Sequence, residues 1–238
     1  KKLEPCSVLR PSLSISDPGF MAWAMYFSCT ISHPTVVFRK DAILELAGYD
    51  ESISCCEDYD LWVRLLGRPS RSMISLPYIG LWHRKHDKSI SSARALTQKS
   101  EADEACFRAM QRLFHSSNEY SQLHIEHVRT MRNPSSAQSS TSLDCAAKLL
   151  VRLESSFLHM HSEHLTPQEI TMINMDCNAR IGEIATILVT KLGNGSISHL
   201  EGGDVSGCVA WQLWCDRCPL EQLKQLCLLC QLNTMSVK

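Results

Sequence analysis

Residues 53–66 read ISCCEDYDLWVRLL. Leu61, Trp62, Leu65 and Leu66 have the spacing of an apolar helix face, yet Glu57, Asp58 and Asp60 crowd its start. Ordinary helix chemistry explains part of this. Ser54 and Glu57 are three apart and fit a capping box, each satisfying a backbone N–H of the first turn. Negative charge at a helix N-terminus is favoured by the dipole, by roughly 0.3–1 kcal/mol. Asp60 and Arg64 are four apart and can pair on the solvent face. Asp58 is left over. With Ser54 as the cap, Asp58 is the fourth helical residue and points along the side that carries Leu61, Trp62 and Leu65. A charge placed there costs energy unless it is paired or functional. A carboxylate against apolar walls holds its proton more tightly, which suits a general base.

Upstream, PTVVFR (34–39) has the β-branched content of a short buried strand, and DAILELAGYD (41–50) reads as a short helix ended by Gly48. Downstream, SMISLPYIGLWHR (72–84) reads as extended chain broken at Pro77, and a long helix is expected from about Ser92 to Phe114. The Ser-rich run RNPSSAQSSTS (132–142) has the composition of a flexible connector. Beyond it the chain reads as helical. Leu143, Ala146, Leu150, Leu153 and Phe157 form one apolar face. Ile170, Ile173, Cys177, Ile181, Ile184 and Leu188 form another, after a helix start at Thr166-Pro167-Gln168-Glu169. These two helices are expected to pack as an antiparallel hairpin, with a last helix over about Pro219–Leu232.

A set of short motifs, in order, carries a resemblance. His33-Pro34-Thr35, Phe38-Arg39, Gly48-Tyr49-Asp50, Glu57-Asp58-Tyr59-Asp60-Leu61-Trp62 with Arg64-Leu65, and Arg84-x-His86-x-x-Ser89-x-Ser91 together resemble the C-terminal half of the catalytic domain of family 2 glycosyltransferases. These are inverting enzymes of the GT-A fold. The resemblance covers roughly residues 28–95. It implies a partial GT-A-like half-domain over 1–115; with the connecting segment over 116–140 and the helical extension over 141–238 that composition and periodicity indicate, the expected fold is α/β but predominantly helical.

The resemblance also implies chemistry. Asp58 becomes the base that deprotonates an acceptor hydroxyl, whose oxygen attacks the anomeric carbon of a nucleotide sugar with inversion. Glu57 orients the acceptor or the helix mouth. His33, Trp62, Arg84, His86 and Ser89 are the implied donor- and acceptor-binding residues, since Arg and hydroxyl groups on a loop can cradle a diphosphate. A divalent metal, Mn or Mg, is implied as cofactor. Its usual Asp-x-Asp motif is not found in residues 1–50, so the ligands are expected mostly outside this chain, as is the donor-binding half. Isolated, the chain is expected to lack activity. The other reading is an interaction module built on a glycosyltransferase remnant, with 141–238 binding a protein partner.

Bulk properties narrow the field. Lys and Arg number 24 against 25 Asp and Glu, so broad non-specific nucleic-acid binding is not expected. The longest apolar stretch, Gly19 to Ile31, is too short to span a bilayer. No signal peptide is recognised, and the absence of an initiator Met suggests a piece of a longer protein. Twelve cysteines scattered from Cys6 to Cys230 suit reduced, partly buried thiols, which favours a cytoplasmic or cytoplasm-facing location. No metal site is assigned within the chain. His159, His161 and His164 read as a polar helix end, and Cys227 and Cys230 as core members of a helix rather than zinc ligands with Cys215 and Cys218.

Overall fold

A computed structural model describes residues 17–68, 73–76, 81, 94–114, 123–193 and 207–218, and every regular element among them is a helix. In chain order these are α1 (Pro18–Ala24), α2 (Lys40–Leu44), α3 (Glu57–Leu66), α4 (Ala95–Phe114), α5 (Ile125–Arg132), α6 (Ser140–Met160), α7 (Pro167–Gly193) and α8 (Val209–Arg217), with 3-10 turns at His33–Thr35 and Pro134–Ser136. The expected last helix over Pro219–Leu232, with Cys227 and Cys230, lies outside the described residues, as does the loop carrying Arg84, His86 and Ser89.

The α/β expectation is overturned. No strand forms among the described residues, so they contain no GT-A-like half-domain; only the predominantly helical part of the expectation agrees with the structure. Residues 34–39 show why. Pro34 sits in a 3-10 turn, and the extended residues after it leave Val37 97% and Phe38 43% exposed. β-Branched residues favour a strand only where neighbours pair and bury them, and composition alone cannot supply those neighbours.

The long helices follow their sequence signals closely. At the start of α7, Thr166 Oγ1 accepts from the Glu169 amide at 3.2 Å while Glu169 Oε2 accepts from the Thr166 amide at 2.9 Å, a reciprocal capping box. Ile173, Cys177, Ile181, Ile184 and Leu188 are almost wholly buried, and so are Leu143, Ala146, Leu150, Leu153 and Phe157 of α6. The two helices pack as a hairpin across a short turn. His161 in that turn is buried and stacks on Phe157 with ring centroids 4.3 Å apart. Burial, then the neighbouring His164, pulls its pKa down to about 4, so it is a neutral core ring rather than a dipole-stabilised cation.

The Ser-rich run, read from composition as flexible, is ordered and held. Ser139 caps α6 by accepting from the Ser142 amide at 3.1 Å, and the Lys191 ammonium donates to the carbonyls of Ser135 and Ala137. One continuous core results, running from Met21 and Trp23 of α1 through Leu61 and Trp62 of α3 to Trp211 and Trp214 of α8. Trp23 anchors α1 on α7: its indole N–H donates to Asp176 at 2.7 Å, and Arg180, paired with that carboxylate at 2.7 Å, lies 3.6 Å from the centre of the Phe27 ring. No helix among the described residues is long and apolar enough to cross a membrane.

Gly182 lets α8 close on α7. A Cβ built there would lie 2.8 Å from the Trp214 indole nitrogen. In an open helix, Gly→Ala stabilises by roughly 0.5–1 kcal/mol. Here the rigid indole ring must move, so Gly182→Ala is expected to destabilise by about 1–3 kcal/mol. Chemical denaturation followed by tryptophan fluorescence gives the sign.

Candidate active site at the mouth of α3

The motif helix starts later than its capping box predicts. Its first residue is Glu57 and its cap position is Cys56, whose side chain makes no capping bond. Ser54 turns instead to Glu101 of α4, which accepts from the Ser54 hydroxyl at 2.7 Å, the Ser54 amide at 3.2 Å and the Cys55 amide at 2.7 Å. Gln98, one turn earlier on α4, reaches the Cys55 carbonyl at 3.4 Å, and its own carbonyl takes the Cys56 thiol at 3.1 Å. The lead-in to α3 is therefore held from outside its own segment. Burial works against charge on Glu101, but the hydrogen bonds from Ser54 and the amides of 54–56 outweigh it and hold the carboxyl below the usual range.

The later start moves the carboxylates. Asp58 is now the second helical residue, and its side chain keeps 24% of its exposure. The deeply buried acid is Asp60, only 2% exposed, which pairs with Arg64 at 2.7 Å. That pair was expected on the solvent face. It is turned inward because Arg64 has further work: its guanidinium donates to the carbonyl of Leu46 at 2.7 Å and of Gly48 at 2.9 Å. The fork of Arg thus clamps the turn that follows α2. In that turn Ala47 (φ 61°) and Gly48 (φ 74°) are left-handed, a conformation that costs a residue with a Cβ about 1 kcal/mol or more.

The clamped turn delivers Tyr49. Its hydroxyl lies 3.0 Å from His33 Nε2, and His33 Nδ1 lies 3.6 Å from Asp58 Oδ2. That last distance is an electrostatic pairing and longer than a hydrogen bond. The imidazole also rests edge-on against Trp62, with centroids 6.0 Å apart, and Phe38 covers another side of the same indole at 6.1 Å. Trp62 is itself fully buried, so it shapes the floor under His33 from beneath; its indole N–H finds no acceptor among the described residues. Burial, then the charges of Asp58 and Glu57, raise the Tyr49 phenol above its ordinary pKa. Burial and the same Asp58 push the Cys56 thiol up to about 12.

Of the residues singled out in the sequence, Glu57, Asp58, His33 and Trp62 therefore share one corner of the molecule, while Arg84, His86 and Ser89 lie outside the described residues. Tyr49 and Glu101 were not singled out as site residues. Tyr49 stood within the Gly48-Tyr49-Asp50 motif, which was the available signal. Glu101 carries none, since it lies 47 positions from Ser54. Among the described residues no group of three or more His, Cys, Asp or Glu is placed to hold a metal ion, and Asp60 is committed to Arg64. What the corner offers is an accessible carboxylate beside an imidazole, on a helix mouth held in place from two sides.

Loss of Glu101 should loosen that mouth in a pH-dependent way. Its folded pKa lies below the unfolded value of about 4.3, so its stabilisation is present above that pH and is lost as pH falls through the lower folded value. Glu101→Gln is expected to cost roughly 1 kcal/mol at pH 7, the scale of a lost helix cap. Denaturation midpoints of the two proteins should converge as the pH falls below the lowered folded pKa of Glu101.

No protein-family model and no solved structure matches the chain. Two proteins of known name are similar to it. The bifunctional glycosyltransferase pgtA of Dictyostelium discoideum is 26% identical across 92% of this chain and 29% of its own length. The O-antigen biosynthesis glycosyltransferase WbnJ of Escherichia coli is 40% identical over 75 residues, 31% of this chain and 26% of its own. The chain thus spans under a third of either relative, and both relatives bear the name glycosyltransferase.

Proposed function

We propose that this chain is the acceptor-side portion of a glycosyltransferase that moves a sugar from a nucleotide-sugar donor to an acceptor hydroxyl with inversion. Asp58 is the general base. As the acceptor oxygen attacks the anomeric carbon, its O–H bond breaks and the proton passes to the Asp58 carboxylate. The bond from that carbon to the nucleotide phosphate breaks, and its electron pair leaves with the phosphate. Attack from the face opposite the leaving group inverts the centre. Glu57, half-buried beside Asp58, orients the acceptor at the helix mouth. Arg84, His86 and Ser89 belong to the donor side, and a divalent metal, Mn or Mg, would be held by residues beyond those described.

One observation carries this reading: the Asp58 carboxylate is partly open to solvent yet held on a helix whose start and flank are both fixed, beside an imidazole. A base must be reachable and must not wander. The similarity to two named glycosyltransferases supports the reaction class. The apolar faces of α6 and α7 are turned into the core.

Asp58→Asn in the full-length protein is expected to lower turnover by about 10²–10⁴-fold, since the amide keeps the shape but takes no proton. Product formation from a radiolabelled nucleotide sugar, with circular dichroism as the folding control, measures it. Turnover near that of the wild type would overturn the assignment.

A further inference from the structure

We propose that Tyr49 and His33 are positioning residues for Asp58, with the phenol donating to His33 Nε2 so that Nδ1–H is the edge facing the carboxylate. This inference rests on the reading of Asp58 as the base and names the groups that aim it. The geometry is a line of contacts: Tyr49 Oη to His33 Nε2 at 3.0 Å, then His33 Nδ1 to Asp58 Oδ2 at 3.6 Å. A carboxylate can only accept, so the ring edge that faces it favourably is the one bearing a proton. In a neutral imidazole the other nitrogen is then an acceptor, and the tautomer is set by what that nitrogen meets. It meets the Tyr49 hydroxyl, which can donate.

The line is rigid at both ends. The turn bearing Tyr49 is pinned by Arg64 through the Leu46 and Gly48 carbonyls, and His33 starts a 3-10 turn with its ring against the buried Trp62. The far oxygen of Asp58, Oδ1, lies 2.7 Å from the Tyr59 amide, so both oxygens have a fixed neighbour. Each oxygen still has a lone pair free for a substrate hydroxyl. Cys29, Cys56, Tyr49 and Glu57 are the other titratable groups around this carboxylate. Burial pushes both thiols above their ordinary range and raises the Tyr49 phenol further, so none of the three carries charge at neutral pH.

Two measurements test this, one of them independent of activity. Two-bond ¹H–¹⁵N correlation spectra of the 238-residue chain, labelled at histidine nitrogen, report the tautomer of His33. The Nδ1–H form is expected to dominate in the wild type, and Tyr49→Phe and Asp58→Asn are each expected to weaken that preference. A dominant Nε2–H form, or a tautomer ratio unmoved by both variants, would overturn the proposal. In the full-length enzyme, His33→Gln and Tyr49→Phe are expected to lower kcat by roughly 10–100-fold with KM little changed, the effect of a misaimed base. His33→Asn places an amide N–H near the Nδ1 position and is expected to recover part of what His33→Gln loses. If Asp58→Asn is inactive while the His33 and Tyr49 variants keep wild-type turnover, the positioning role fails and the base stands. If Asp58→Asn turns over normally, the base fails and the positioning role with it.

Discussion

The inward-facing pair of Asp60 and Arg64 is the constraint on which the site depends. Removing two charges from water costs several kcal/mol each unless geometry and further hydrogen bonds return it. Arg64 satisfies that demand by bonding Asp60 and two backbone carbonyls at once, at 2.7, 2.7 and 2.9 Å. Those carbonyls belong to the turn with two left-handed residues, Ala47 and Gly48, so Arg64 adds a side-chain clamp to the turn's own backbone bonds. From the turn hangs Tyr49, against Tyr49 rests His33, and against His33 stands Asp58. A buried ion pair of this kind contributes little net stability; its value here is that it fixes one backbone conformation.

A second tie comes from α4. Glu101 and Gln98 hold the residues before α3, and farther along the same helix Asp103 pairs with Arg132 of α5 at 2.6 Å. Arg132 also donates to the Phe27 carbonyl at 3.0 Å and lies over the Tyr59 ring at 5.6 Å. Tyr59 in turn donates to the Met25 carbonyl, beyond the end of α1. The motif helix is thus not appended to the helical region but sunk in it. Its apolar residues belong to the same core as those of α6 and α7.

What the sequence disclosed and what it hid follow from the range of the forces involved. The Thr166–Glu169 capping box and the apolar faces of α6 and α7 are local patterns, and the structure reproduces them. The pairing of Asp60 with Arg64 was legible from a four-residue spacing, but its burial was not, because it depends on carbonyls 16 and 18 positions away. The Ser54–Glu57 box failed for a similar reason: a distant carboxylate on α4 offered Ser54 a better partner. Residues 34–39 were read as a strand from composition, while a strand is made by its neighbours. Asp58 is legible from its place on the helix as well as from the resemblance, whereas His33 is legible from the resemblance alone. Tyr49, which joins them to the clamped turn, becomes visible as a site residue only in three dimensions.

The bond from Trp23 to Asp176 spans 153 residues. It bears on the order in which the molecule comes into being. Segments so far apart close a loop whose entropy must be lost before the contact returns anything, so such docking comes late. During synthesis the Trp23 indole N–H lacks its acceptor until Asp176 has left the ribosome, and the docking of α1 stays unfinished until then. The candidate corner on α3 is thus finished by helices encoded after it. A growing polypeptide carries it incomplete until those helices have emerged.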